Sequence, residues 1–96
     1  MTTLTFHADP GHGWLAVPHQ VLAELGQSDA DYSPYSYRDA EAVYLEEDGD
    51  ALSFLSRWRE RHGISLAVHE EYTNDDHWIR RLSRCSGDRW VSPFKR

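Results

Sequence analysis

Ninety-six residues with 40% apolar content make one small domain and one core, with no apolar run long enough for a membrane-spanning helix. A single cysteine, Cys85, excludes an intramolecular disulfide and fits a reducing, cytoplasmic setting, and the Met1–His7 start lacks both regions of a secretory signal. Charge is divided unevenly: residues 1–50 hold ten acids against one base, Arg38, whereas residues 51–96 hold nine bases against six acids.

Thr3–Ala8 alternates and carries β-branched and aromatic residues, so it reads as a first strand. Asp9-Pro10-Gly11-His12-Gly13 is a turn in which Pro10 presets a negative φ and two glycines permit positive φ around His12. Trp14–Val17 returns as the second strand of a hairpin. Pro18 suits the first turn of a brief helix whose stripe is Val21, Leu22 and Leu25, with Gly26 as its C-cap. Residues 27–37 are rich in turn formers, and Tyr35–Arg38 adds a short strand.

In the strand Ala42–Glu47, Val43 and Leu45 share one face while Tyr44 and Glu46 share the other. Asp48 or Asp50 caps the next helix. Its stripe is the clearest in the chain: Ala51, Phe54, Leu55, Trp58 and His62 fall at helical spacing, and Gly63 ends it. Ile64–His69 alternates as a further strand. Beyond Tyr72 two readings stand, a short helix capped by Asp75-Asp76 or a strand over His77–Leu82. The order is therefore β-β-α-β-β-α-β plus an undetermined C-terminal element. That defines an α+β fold with a small antiparallel or mixed sheet and two helices on one face. The domain is expected to span residues 1–85, with 86–96 a basic, mobile tail.

Chemistry is sparse by comparison. An enzymatic or metal-dependent reading rests on His7, His12 and His19, yet neither His-x-x-x-His nor His-Glu-x-x-His occurs and Cys85 has no thiolate pair. No nucleophile elbow marks a Ser or Cys nucleophile. The Asp9–Gly13 turn lacks the Lys-Ser/Thr pair of a phosphate loop, and Glu46-Glu47-Asp48-Gly49-Asp50 lacks the spacing of a calcium loop. No catalytic residue, metal or cofactor is expected.

The acids and tyrosines carry more. Asp29, Asp31, Glu46, Glu47, Asp48 and Asp50 spread over several elements, as suits a surface resembling a line of phosphates, and Tyr32, Tyr35, Tyr37 and Tyr44 are rigid amphipathic anchors of the kind found at interface hot spots. Two readings of this set stand: a partner-binding surface, or a solvated acidic surface with partly buried tyrosines. The arginines of the second half, interleaved with Trp78 and Trp90, admit a nucleic-acid accessory role. Six acids dilute them and no binding motif is present, so they are expected to answer the acidic half, within the chain or across a homodimer.

Three segments, Phe6–Pro18, Ser33-Pro34-Tyr35-Ser36-Tyr37 and Val43–Asp48, together resemble a family of small proteins encoded by phages and other mobile elements of proteobacteria. The likeness covers the first half of the chain and brings no active site with it. A small acidic protein of that setting is also similar to the anti-CRISPR inhibitors of host defence. The resemblance implies a cytoplasmic inhibitor without enzymatic activity. Its partner would be a host defence complex, such as a CRISPR–Cas effector, met on a basic nucleic-acid-binding surface. Neither membrane nor direct nucleic-acid binding is expected.

Overall fold

A computed structural model describes residues 3–91. Strand β1 (Thr3–Ala8) and strand β2 (Gly13–Pro18) form an antiparallel hairpin in which Phe6 lies opposite Leu15. Helix α1 (His19–Ala23) is only five residues long and is followed by a 3-10 turn, Asp29–Asp31. The short β3 (Tyr37–Arg38) leads to β4 (Ala42–Glu46), which pairs antiparallel with both β3 and β2. Helix α2 (Asp50–His62) then carries the chain across the sheet to β5 (Ala67–Tyr72), which lies parallel to β1. A second 3-10 turn, Trp78–Arg81, and β6 (Ser83–Arg84) complete a mixed sheet of order β5-β1-β2-β4-β3-β6. The α+β class and the element order agree with the sequence reading. Among the described residues no helix is long and apolar enough to cross a membrane.

Two-residue periodicity explains how the sheet buries both faces. Leu4, Leu15, Val17, Val43 and Leu45 point to one side, where Val21 and Leu22 of α1 and Ala51, Phe54 and Trp58 of α2 close over them. Trp14, Ala16, Tyr37 and Tyr44 point to the other side, and Ile79 and Leu82 cover them. The segment left open between helix and strand is thus mostly neither. It is a strap across the second face, and its single 3-10 turn is capped by the His77 side chain rather than by Asp75 or Asp76.

Several local expectations need correction. The hairpin turn uses no positive φ at Gly11 or Gly13. The Asp9 carboxylate instead accepts from the backbone N–H of Gly11 and of His12, making an Asx-type turn. Gly13 is glycine for a different reason: a Cβ there would run into the Phe6 ring. Gly49, not Asp48 or Asp50, occupies the N-cap of α2, and the Glu46 carboxylate accepts from the N–H groups of Asp48 and Gly49 in the turn and, at 3.4 Å, from that of Asp50 at the first helical position. The strand expected over Ile64–His69 begins three residues later, where pairing with β1 starts, leaving Ile64 exposed. Residues 86–91, read as part of a tail, lie against the loop before β3, where Arg89 N–H donates to the Ala30 carbonyl at 2.8 Å. The rest of that tail, 92–96, is outside the described residues.

Candidate binding cleft

The loop before β3 and the start of α2 are locked by one buried acid. Asp50 Oδ2 accepts from the Ser33 N–H (2.9 Å), the Ser33 hydroxyl (2.6 Å) and the Ser36 hydroxyl. Ser36 Oγ in turn accepts from the Glu46 N–H at 3.0 Å, so the loop, the end of β4 and the helix start form one rigid unit. Beside that unit lies a cleft of about 1050 Å³ whose lining includes Arg84, Arg89 and Trp90. Of the ten residues singled out from the sequence, seven line this cleft: Asp31, Tyr32, Tyr35, Tyr37, Glu46, Asp48 and Asp50.

They do not all face the solvent. Tyr32 and Tyr37 are buried and contribute only to the floor, as does Asp50. Tyr44 is buried on the second sheet face, with its hydroxyl donating to Asp39 at 2.7 Å. The tyrosine anchors expected at 32, 37 and 44 are therefore core side chains: Tyr37 and Tyr44 lie under the Ile79 strap, and Tyr32 joins the core on the helix-covered face. Burial raises the Tyr32 and Tyr44 hydroxyls above their ordinary range. Tyr35 alone among the four is open, at 66% exposure.

The acids divide similarly. Asp29 pairs with Arg38 at 3.2 Å, and Asp31 pairs with Arg89 at 2.8 Å, which holds the Asp31 carboxyl below its usual range. The Glu46 carboxylate is occupied by N–H groups of the β4–α2 turn. Asp48 is exposed, and Glu47 approaches only the His12 ring, at 3.8 Å. The usable acidic surface is thus the β4–α2 turn, with Tyr35 on the same cleft.

Two of the second-half arginines, Arg80 and Arg89, answer the acidic half within the chain. Besides the Arg89–Asp31 pair, Arg80 makes a two-pronged contact with the fully covered Asp9, at 2.7 and 2.8 Å, and lies over the Trp14 ring. Arg84 donates to the Pro34 carbonyl and sits over Tyr37. Arg57 and Arg84 line the cleft with no carboxylate in ion-pair range among the described residues.

The three N-terminal histidines go separate ways. His19 meets the Asp39 carbonyl, His12 stands beside Glu47, and His7 lies against His77 with ring centres 4.8 Å apart. Among the described residues no group of three His, Cys, Asp or Glu side chains is placed to hold a metal ion. Cys85 is buried, and burial pushes its thiol up to about 12, so it stays protonated near neutrality.

Sequence reasoning missed Ser33, Arg57 and Trp90 as parts of the cleft. Proximity along the chain could not have found them, since Asp50 reaches back 17 residues to Ser33 and Arg89 reaches back 58 to Asp31. No protein-family model, curated protein or solved structure matches this chain.

Proposed function

We propose that the protein acts in the cytoplasm by binding, with no catalysis of its own, and that its partner presents a basic surface of the kind that normally tracks nucleic acid. The reading that fits the phage-family resemblance is an anti-CRISPR-like inhibitor of a host defence complex. The observation that carries the binding part is that Tyr35 and Asp48, both exposed, share one open cleft. Asp48 is its exposed acid, with Glu47 next to it in the β4–α2 turn just outside the lining, and Tyr35 offers a ring on which a partner guanidinium can stack. Arg57 and Arg84, on the same cleft, fix orientation by favouring partner acids beside them. The turn is braced by Glu46 and Asp50, so little conformational entropy is lost on docking.

The test is capture of the tagged protein's partner from host lysate, repeated with Glu47→Lys/Asp48→Lys. Recovery of a defence-complex subunit by the native protein and its loss with the reversed turn supports the proposal. Association with the captured subunit should slow about tenfold at low salt in the reversed variant, mostly through the on-rate. Equal capture by both proteins would remove the electrostatic basis of the proposal.

A further inference from the structure

Strand β5 ends the sheet, and all six of its residues are exposed. On the β1 side it is fully paired, and Thr73 N–H donates to the Ala8 carbonyl at 3.0 Å. Main-chain direction alternates along a strand, so the N–H and C=O groups of Thr73, Glu71 and His69 point to β1. Those of Val68, Glu70 and Tyr72 point outward, and among the described residues nothing pairs with them. No proline or lysine blunts this edge, and it carries two exposed apolar side chains, Val68 at 46% and Tyr72 at 62%.

We propose that β5 pairs antiparallel with β5 of a second copy of this chain, around a two-fold axis through Glu70. The commitment to a second copy comes from the self-complementarity of Val68-His69-Glu70-Glu71-Tyr72. An axis perpendicular to the sheet keeps each side chain on its own face, so only residues of the same parity stand opposite one another. Centring on Glu70 places Val68 opposite Tyr72 of the second copy, twice, joining the exposed apolar side chains. On the other face it places His69 opposite Glu71 of the second copy, also twice, setting an imidazole donor against a carboxylate. The same centre matches outward-facing main-chain groups with outward-facing ones at all three positions. Centring on His69 instead sets Val68 against Glu70, and centring on Glu71 sets Tyr72 against Glu70. The one mismatch in the favoured register is Glu70 against its own copy, which keeps the association weak. The edge lies apart from the cleft, and neither proposal depends on the other.

Sedimentation equilibrium reads the result. The native chain should move from 11.1 kDa toward twice that mass as concentration rises to about 1 mM. Val68→Pro removes an outward N–H that β1 does not use, so it should weaken association at least about tenfold with the circular dichroism unchanged. Glu70→Gln should tighten it about threefold. His69→Glu should weaken it, and adding Glu71→His to that variant should restore it, since the swap re-creates the opposed pairs in this register alone. A native chain that stays monomeric to about 1 mM overturns the proposal, as does a dimer undiminished in both Val68→Pro and His69→Glu.

Discussion

The carboxylate of Asp9 is fully covered and accepts five hydrogen bonds, from the N–H groups of Gly11, His12 and His77 and from two nitrogens of Arg80. It joins the hairpin turn to the strap across the second sheet face, 68 residues away at His77. The Arg80 guanidinium and the converging N–H groups hold its carboxyl far below the usual carboxylate range. Its contribution is therefore fully present above the unfolded value near 4 and is lost as pH falls toward the folded one. Asp9→Asn should lower unfolding free energy by about 2–4 kcal/mol in a urea titration at neutral pH and flatten the acid limb of the stability profile. The histidine pair behind the strap acts in a higher window. Burial lowers His7 and His77 below their ordinary value, and each ring would charge against the other, opposed by Glu71 and Asp9. A lowered folded pKa means that stability is present above about 6.5 and declines as pH drops below it. His77 Nδ1 also accepts from the Ile79 N–H at 3.2 Å, a bond that protonation at that nitrogen removes. His77→Asn keeps an acceptor without titrating, so its stability between pH 7.5 and 5.5 should vary less than that of the native chain. An identical pH slope would exclude the His77 part.

At the level of elements, helix α2 decides the fold by carrying the chain from the end of β4 to the far edge of the sheet. Phe54, at 0% exposure, is its central contact with the strands. Phe54→Ala should cost about 3–5 kcal/mol in chemical denaturation, through lost transfer energy and a residual cavity. Gly63→Ala should cost about 1 kcal/mol, because Gly63 closes the helix at φ +74°. The hairpin, both helices and β4 were legible in the sequence because each couples a clear period to a nearby breaker. β5 was harder to place because Ile64, Leu66 and Val68 alternate as a half-buried strand would, yet Val68 sits on an open edge and Ile64 precedes the pairing. Tyr37 and Tyr44 misled in the opposite sense. Their polar neighbours suggested a surface, but the strap over Ile79 covers them, and a cover supplied from 35 or more residues away leaves no local pattern.

Across the whole molecule, the divided charge of the sequence becomes a set of internal pairs joining the two halves. Arg80–Asp9 and Arg89–Asp31 tie the basic end to the acidic beginning, engaging two of its ten acids. Glu24, Glu41 and Asp48 stay exposed, and of these Asp48 alone lines the cleft, with Glu47 beside it, within a net charge of −6. The location of the cleft was partly legible, since the acids and tyrosines flank it. Its arginine wall was not, because ion pairing over 58 residues has no signature in composition or spacing. Attraction of a basic partner to this rim should weaken steeply between low and physiological salt, as rim charges act within a Debye length of about 8–10 Å. The most direct measurement is phage plating on a host with an active CRISPR–Cas effector, with the native chain or Glu47→Lys/Asp48→Lys expressed to equal levels. Restored plating with the native chain and its loss with the reversed turn is the expected result. Plating that neither protein restores, or that both restore equally, would contradict an inhibitor working through this acidic rim.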